Sequence, residues 1–429
     1  MSKIGVGLDF GTTNSSIAFA HPDGRRELLR FPTAQGETES YRSLLYLEQV
    51  HENHRRTTKS WTGPQGIERY LHADEKGRLI QSLKSFLTSR LLRSTEVFGR
   101  QVLLEELIAN ILRDLRQAAE RHLGAPVTEV VVGRPVQFVG AEKPEDNDFA
   151  VSRLEKALRL AGFEKIAFEL EPIGAACHYE SMLDHDELIL IGDFGGGTSD
   201  FSLLRVGPSV LRRGRRSEDL LGNEGVGIAG DAFDARIVRH CVSPALGSDS
   251  MINSMGKLLP VPRWVYFKLE RWHHLSLLRS TETLNMLESV RAQALERERI
   301  EALLALIRHD LGYQLHQSVQ KTKCRLSEAY DAPFRFAEEG LDLDERVPRA
   351  DLEDWIEDDL VSIEQCVDRL LNNAGVQAKE VSNVFLTGGS SFVPAVRHIF
   401  VSRFGAGRIR TGGEFTSVAN GLALRALQQ

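Results

Sequence analysis

Two short segments that combine aspartates with small residues are the parts of this sequence best suited to chemistry. The first, residues 193–200, reads DFGGGTSD and lies between two apolar runs. This order predicts a β-hairpin whose tip brings backbone N–H groups against an anion, because three consecutive glycines have no side chains to hold a phosphate away. The carboxylates of Asp193 and Asp200 suit a hydrated divalent cation. Taken alone, a glycine run can also be only a flexible hairpin tip.

The second segment repeats the first near the start of the chain. Residues 9–16 read DFGTTNSS and again precede an apolar run, residues 17–20. Two hairpins of the same phosphate-binding type predict a duplicated architecture, in which two similar lobes each present a hairpin to a shared cleft.

The composition indicates a globular protein with more than one domain. The 429 residues are 42% hydrophobic, which is enough for a sizeable core. The formal net charge of -7 is modest for this length. The overall charge therefore predicts neither a nucleic-acid partner nor an anionic membrane surface as partner, although local basic patches remain open.

The cysteines and the apolar runs predict a reduced, cytoplasmic protein. The four cysteines form no CxxC pair, which argues against a structural zinc site and a disulfide framework; they are Cys177, Cys241, Cys324 and Cys366. The first apolar strand begins at Ile4, which leaves no room for a signal peptide. No apolar run approaches the ~18 residues of a membrane span.

The elements that position the hairpins follow an alternating pattern. Residues 102–123 carry apolar side chains at a 3.6-residue period and predict one amphipathic helix that Gly124 ends. A strand at 129–133, a helix at 150–161 and a further strand follow. This order predicts an α/β fold with a mixed sheet in each lobe.

Two charged residues have alternative interpretations from pattern alone. Lys84 interrupts an apolar stripe of helical spacing at residues 78–87, where an ordinary surface lysine is the expected type. Glu171 follows a strand and precedes Pro172. It is either an extended residue whose carboxylate enters a cleft or an acid that favours the start of the next helix.

The second half of the chain is rich in helical patterns. A glycine-rich loop within residues 223–240 leads into a helix, whose N-terminus suits an anion or a ribose. Residues 263–329 are almost entirely helical in pattern, and residues 352–373 predict one more amphipathic helix. A strand at 384–386 then leads to a Thr-Gly-Gly turn and a helix, an arrangement suited to a nucleotide.

Taken together, four motifs resemble those of the actin, sugar kinase and heat-shock ATPase superfamily. They are DFGTTNS at 9–15, Glu171-Pro172, DFGGGT at 193–198 and LTGGS at 386–390, which resemble the phosphate-one, connecting, phosphate-two and adenosine motifs. The sequence is most similar to the seventy-kilodalton heat-shock chaperones of the DnaK type, over nearly the whole chain.

This resemblance implies a two-lobed actin-like ATPase fold with duplicated ribonuclease H-like lobes and an inserted helical subdomain. Lobe I would span residues 1–183, with a small subdomain at about 34–100, and lobe II would span 184–412. The small, helix-rich subdomain of lobe II would cover about 228–349, including an insertion at about 245–312. Residues 413–429 would form a C-terminal helix that returns to lobe I.

The resemblance also implies a set of residues for ATP or ADP and Mg²⁺. Asp9 and Asp193 would hold a hydrated Mg²⁺, and Lys84 would reach the γ-phosphate. Glu171 would orient water, with Asp200 or Thr198 near the attacking water. The residues expected to bind the nucleotide are Gly11, Thr12, Thr13, Asn14, Gly195, Gly196, Gly197, Gly230, Asp231, Lys323, Ser327, Gly388, Gly389 and Ser390.

Several positions on the nucleoside side depart from the family pattern. Where the family has two glycines and a glutamate before Asp-Phe-Asp, this chain has Ala229, Gly230 and Asp231, followed by Ala232. Gln320 and Cys324 stand where the family has a glutamate and often an arginine, and Phe392 and Phe415 stand where it has an arginine and an aspartate. We therefore expect intact phosphate machinery beside an altered nucleoside pocket.

The function implied by the resemblance is a Mg²⁺-dependent, slow ATPase that acts as a chaperone-like protein. The chain ends at Gln429, shortly after the last motif, so we expect no peptide-binding domain. Lobe movement on hydrolysis would be read by a partner, such as a co-chaperone or a client protein. Alternatives are a small-molecule kinase, an actin-like nucleotide-dependent scaffold and a degenerate pseudo-ATPase.

Overall fold

The computed structural model describes residues 3–33, 36–52, 55–73, 77–180, 182–271, 275, 278–410 and 417–428. The chain forms two compact units. Unit 1 comprises Met1–Gly227, Gln365–Gly389 and Phe400–Gln429, and unit 2 comprises Ile228–Glu364 and Ser390–Ile399.

Strands and helices alternate along the chain. The strands are β1 Gly5–Phe10, β2 Asn14–Ala20, β3 Arg26–Leu28, β4 Phe31–Thr33, β5 Gly36–Thr38, β6 Tyr41–Arg42, β7 Leu44–Glu52, β8 Arg55–Thr62, β9 Arg78–Gln81, β10 Ser94–Val97, β11 Arg100–Leu103, β12 Glu129–Arg134, β13 Lys165–Leu170, β14 Glu187–Phe194, β15 Ser199–Val206, β16 Leu220–Val226, β17 Met251–Ser254, β18 Lys257–Pro260, β19 Asp331–Glu338, β20 Leu341–Pro348, β21 Asn383–Thr387 and β22 Ile409–Arg410. The helices are α1 Gly63–His72, α2 Leu104–Leu123, α3 Pro144–Ala161, α4 Glu171–Glu180, α5 Pro208–Arg213, α6 Gly230–Ile237, α7 Ser243–Ala245, α8 Arg263–Leu269, α9 Thr281–Gln293, α10 Arg297–Arg308, α11 Gly312–Glu328, α12 Arg349–Trp355, α13 Glu357–Ala374, α14 Pro394–Phe404 and α15 Ser417–Gln428.

Two sheets of unit 1 repeat the same topology. The first has the order β13-β12-β1-β2-β3, with β6 also paired to β2, and the second has the order β22-β21-β14-β15-β16. In each sheet three antiparallel strands are followed by two parallel ones. The predicted α/β fold with a duplicated sheet is confirmed.

The core beside the first sheet forms because helix α2 presents an apolar stripe. Buried leucines and isoleucines of α2 pack with apolar residues of α3 and of the sheet. The helix ends at Gly124, whose φ of +64° favours glycine. The predicted helix at 102–123 is therefore confirmed, whereas α3 begins at Pro144, earlier than the predicted 150.

The C-terminal helix α15 lies against β1 and α4 at unusually short range. A Cβ atom at Gly421 would lie 1.7 Å from the carbonyl oxygen of Gly174, and one at Gly7 would lie 2.2 Å from the backbone nitrogen of Ala423. Only glycine permits these approaches. The helix therefore fixes the strand that carries Asp9 and the helix that begins at Glu171.

Unit 2 contains most of the helical second half. Helices α8 to α11 occupy the segment 263–329, which confirms the predicted helix-rich region. Two hairpins, β17–β18 and β19–β20, accompany them.

Two predicted helices were wrong in detail. Residues 78–87 form strand β9, which pairs with β7, and then a single 3₁₀ turn at Leu83–Phe86. Sheet pairing prevails there over a short stripe of helical spacing. The predicted helix at 352–373 is two helices, because α12 ends at Trp355 and α13 begins at Glu357.

Among the helices in the described ranges, none combines the length and the apolar character that crossing a bilayer requires. The four cysteines are free thiols, as predicted.

Candidate phosphate and metal site

The two predicted hairpin tips have matching geometry. Each tip has four residues, since Phe10 pairs with Ser15 in the first hairpin and Phe194 with Ser199 in the second. A Cβ atom at Gly11 would lie 2.1 Å from the carbonyl oxygen of Asn14. In the second tip, the N–H of Gly195 donates to the carbonyl of Thr198 over 2.9 Å. Both tips are tight turns, which argues against the flexible alternative.

The turn after β21 lies directly against the second hairpin. Gly388 has a φ of +84°, and a Cβ atom there would lie 2.0 Å from the carbonyl oxygen of Phe194. The hydroxyl of Thr387 donates to Oδ1 of Asp193 over 2.8 Å. The third glycine motif therefore orients the carboxylate of the second.

Lys84 and Glu171 form a buried ion pair. Their Nζ and Oε1 atoms lie 2.7 Å apart, and Lys84 is only 8% exposed, so the interpretation as a surface lysine was wrong. Although burial alone would lower the pKa of Lys84, the nearby carboxylates of Glu171 and Asp9 raise it above its usual value. Glu171 is the first residue of α4, so it starts a helix and also meets Lys84.

Arg153 fixes the segment that follows Lys84. Its guanidinium donates to Glu105 over 2.9 Å and to the carbonyls of Phe86, Ser89 and Leu92 over 3.0–3.2 Å. Arg153 was not predicted, because an arginine within a helical pattern, with no motif around it, gives no sequence signal.

Three aspartates share this region, and burial disfavours their charged forms. Burial raises the pKa of Asp9 to about 8, with Glu171 and Asp193 adding to the rise while Lys84 opposes it. Burial and then Asp193 raise the pKa of Asp200 to about 7. The pKa of Asp193 is raised by burial and by Glu171, while the hydrogen bond from Thr387 lowers it. The hydroxyl of Thr198 donates to Asp200 over 3.2 Å.

These residues open onto a cavity in unit 1. About 350 Å³ of space, part of it open to solvent, is lined in part by Glu171, Asp193, Asp200 and Thr387. Four carboxylates interact electrostatically here, those of Asp9, Glu171, Asp193 and Asp200, and the positive charge of Lys84 lowers the pKa values of the three aspartates. A divalent cation would compensate this excess of negative charge, so the donor set fits Mg²⁺. Within the described ranges, no group of three or more His, Cys, Asp or Glu side chains is placed to hold a metal ion.

The raised pKa of Asp200 makes a prediction for the nucleotide-free protein. Because the folded state keeps its proton up to about pH 7 while the unfolded state loses it near 3.8, the free energy of unfolding should fall as the pH rises between these values. Asp200→Asn removes this loss. Relative to the native chain, we expect the free energy of unfolding of the variant to rise by about 3 kcal/mol between pH 4.5 and pH 8, measured by urea unfolding.

Asp219→Asn is the control for this measurement, because the native carboxyl of Asp219 makes stability depend on pH in the opposite direction. The hydrogen bond from Arg213 lowers the pKa of Asp219, so its contribution to stability is lost as the pH falls. A constant difference between Asp200→Asn and the native chain at all pH values would contradict the raised pKa.

Four of the residues predicted to bind the nucleotide lie in unit 2 on helices α6 and α11; they are Gly230, Asp231, Lys323 and Ser327. The ammonium of Lys323 donates to the carbonyl of Gly230 over 3.0 Å and lies 2.8 Å from Asp234. The hydroxyl of Ser327 donates to the carbonyl of Lys323 over 3.3 Å. Lys323 therefore connects α11 to the first turn of α6, where Asp231 follows Gly230.

The positions discussed next differ in how far their side chains are exposed to solvent. Cys324 is exposed, and Phe392 is an exposed aromatic side chain. Ser390, which matches the family motif and was predicted to bind the nucleotide, is buried, and its carbonyl accepts from the N–H of Val393. Phe415 lies outside the described residues.

The sequence model of one protein family, described as Hsp70 protein, matches this chain at residues 73–257 and 306–427. The two matched segments together cover more than half of the chain and include Lys84, Glu171, both carboxylates of the second hairpin and the Gly388 turn. Residues 258–305 lie between them and are not matched.

Curated relatives are chaperone proteins named DnaK. The chain is 24% identical over 434 aligned positions to the DnaK of Thermosipho africanus, with 98% of this chain and 58% of that protein covered. It is 23% identical to the DnaK of Thermotoga petrophila, with 98% and 59% covered. The chain thus spans about three fifths of the length of the curated relatives it matches.

Proposed function

Because the chain belongs to the Hsp70 family, we propose that it binds ATP with Mg²⁺ and hydrolyses it slowly. The observation that carries this proposal is the buried Lys84–Glu171 pair, which lies among three aspartates borne by two matching glycine hairpins. A buried cation within an excess of carboxylates is typical of sites that bind metal and phosphate.

The two hairpin tips supply the phosphate contacts in this proposal. Backbone N–H groups of residues 11–14 and 196–198 bind phosphate oxygens, and the hydroxyls of Thr12 and Thr13 add to them. Lys84 exchanges its partner Glu171 for the γ-phosphate, which stabilises charge on the transferred group. The absence of side chains at Gly195, Gly196 and Gly197 lets the phosphates approach the backbone.

Asp9 and Asp193 are the residues that would hold Mg²⁺. When bound, the ion neutralises phosphate charge and polarises the phosphoryl group. Thr387 keeps the Asp193 carboxylate oriented through its hydrogen bond. The raised pKa values of both aspartates mean that occupancy by a cation competes with protons.

Hydrolysis then depends on positioning a water molecule. Glu171, released from Lys84, accepts a hydrogen bond from that water and orients it. Asp200 and Thr198, already hydrogen-bonded to each other, lie near the same water, and Asp200 titrates close to neutral pH. A carboxylate with such a pKa can accept a proton at physiological pH.

The wider role is proposed from family membership. The chain would be a cytoplasmic, chaperone-like ATPase. Its nucleotide state would change the arrangement of a lobe at 1–183 and a lobe at 184–412. A co-chaperone or a client protein would recognise that change. Gly230, Asp231, Lys323, Ser327, Gly388, Gly389 and Ser390 would bind the nucleoside side of ATP. We do not propose the full activity of the relatives for this chain, because the chain spans only part of their length.

Phosphate release from ATP tests the proposal. We expect turnover with Mg²⁺ that stops in EDTA and needs no added sugar or acid, which separates an ATPase from a small-molecule kinase. Asp193→Asn should lower turnover by about 100-fold. Asp23→Asn, in an exposed turn, is the matched control and should leave turnover unchanged. Equal turnover in both variants would contradict the proposed site.

A further inference from the structure

Unit 2 exposes a group of large apolar side chains at the hairpin β17–β18 and on helix α8. Met255 at the hairpin tip is fully exposed, and Trp264 and Phe267 on α8 are 46% and 58% exposed. Leu258 and Leu259 on β18 are also exposed. We call these five residues the hairpin–helix patch. Single exposed apolar residues are ordinary, but five large ones within residues 255–267 indicate an interaction surface.

The exposed side chains lie on elements whose other faces are anchored. Val265 and Leu269 of α8 are buried, and the hydroxyl of Tyr266 donates to the carbonyl of Leu246 over 2.9 Å. The carbonyl of Leu269 accepts from Nε2 of His316 over 2.9 Å. Trp264 and Phe267 therefore lie on the outward face of a packed helix, so their exposure does not result from a loosely attached segment.

The hairpin is held next to this helix. Only residues 261 and 262 connect Pro260, the last residue of β18, to the start of α8, so Leu259 and Trp264 are close in the chain. On the other side of the hairpin, the N–H of Leu295 donates to the carbonyl of Met251 over 2.9 Å. Leu295 is itself exposed and extends the apolar surface.

Four cations surround the apolar side chains without acidic partners. Within the part of the chain that the structure describes, none of them forms an ion pair; they are Lys257, Arg263, Lys268 and Arg271. The acid of this segment, Glu270, is paired with Arg239 over 2.8 Å. On α8 the cations alternate with the aromatics, since Lys268 follows Trp264 by four positions and Phe267 follows Arg263 by four.

We propose that the hairpin–helix patch binds the surface of an anionic lipid bilayer. Exposed aromatic and aliphatic side chains enter the headgroup and upper acyl region, while unpaired lysines and arginines bind anionic headgroups. Trp264 is the residue type that prefers this interface. The attachment is peripheral, in keeping with the absence of a membrane-spanning helix among the described residues.

Two features favour a lipid surface over an added peptide strand. The free edge of β18 is only four residues long, and its last residue, Pro260, has no N–H to donate, so strand addition has few hydrogen bonds to offer. Met255 and Leu258 project outward, which suits insertion into a soft surface.

This inference is independent of ATP hydrolysis. The patch, apart from Met255, lies in residues 258–305, which the family model does not match. The composition-based expectation of no membrane partner concerned the charge of the whole chain, whereas this patch is local.

Sedimentation with lipid vesicles tests the proposal on the full chain. We expect the protein to sediment with vesicles that contain phosphatidylglycerol and phosphatidylcholine, at least 10-fold more than with phosphatidylcholine alone, and less at high salt. The fluorescence of the chain, which has four tryptophans, should shift to the blue on binding, and Trp264→Phe should remove most of that shift while sedimentation persists.

Matched variants locate the surface. The double variant Trp264→Ser, Phe267→Ser and the double variant Arg263→Glu, Arg271→Glu should each lower sedimentation at least 10-fold. Leu91→Ser, at a side chain 99% exposed in unit 1, and Arg100→Glu, at an exposed arginine of unit 1, are the controls and should sediment like the native chain.

Three results would overturn the proposal. One is absence of sedimentation with phosphatidylglycerol vesicles, and another is equal sedimentation with neutral vesicles. The third is a Trp264 shift on addition of an acidic amphipathic peptide with none on addition of anionic vesicles, which would assign the patch to a protein partner. Unchanged ATP turnover in the patch variants would support the separation from the proposed ATPase site.

Discussion

Replacing Lys84 by alanine is expected to lower ATP turnover by about 100-fold or more. Lys84 is the cation paired with Glu171 inside the carboxylate cluster, and its removal takes away the positive charge proposed to meet the γ-phosphate. Phosphate release under single-turnover conditions measures the effect on the chemical step. Lys165→Ala is the control, because Lys165 also pairs with a glutamate but is 76% exposed, and surface pairs of this kind contribute little.

The loss in Lys84→Ala has a structural component that a second variant separates. Without Lys84, the carboxylate of Glu171 is left in a partly buried site without its cation, which destabilises the fold. The double variant Lys84→Ala, Glu171→Gln should recover stability in urea unfolding but remain inactive. Recovery of turnover in the double variant, or native turnover in Lys84→Ala, would contradict the role of Lys84.

Replacing Gly388 by alanine should cause a large loss of stability. A Cβ atom there would lie 2.0 Å from the carbonyl oxygen of Phe194, and both are backbone positions that cannot move aside cheaply. The positive φ of 84° adds a further cost for any side chain. We expect a loss of about 3 kcal/mol or more in the free energy of unfolding, and weaker nucleotide binding, because Phe194 is next to Asp193.

Gly405→Ala is a closely matched control for this variant. Gly405 has a φ of 88°, almost that of Gly388, but a Cβ atom there would meet nothing within 4 Å. Its substitution should cost about 1 kcal/mol, the cost of the conformation alone. Equal losses of unfolding free energy in the two variants would show that the close approach of Gly388 to Phe194 does not contribute to the loss.

The sequence was most informative where chemistry and backbone geometry depend on the same residues. The two DFG segments predicted hairpins, and the structure has both, in two sheets of equal topology. Helix α2 could be predicted because its apolar period is long and Gly124 ends it. Residues close to one another in the sequence determine such features, so a short stretch of sequence is enough to predict them.

Features that depend on distant contacts could not be predicted. Lys84 had the pattern of a surface lysine, yet β9 pairs with β7 and buries it against Glu171, 87 positions away. Arg153 gave no signal, because its partners are backbone carbonyls of another segment. The hairpin–helix patch likewise became visible only when the structure showed which face of α8 is packed.

Calorimetric titration of ATP into the protein tests the central claim most directly. With Mg²⁺ present, we expect saturable binding of one nucleotide per chain, weakened when EDTA removes the metal and weakened again in Asp193→Asn. No saturable heat with Mg²⁺ and ATP, or the same isotherm with and without Mg²⁺, would contradict the assignment of Asp9, Lys84 and Asp193 to a metal and phosphate site.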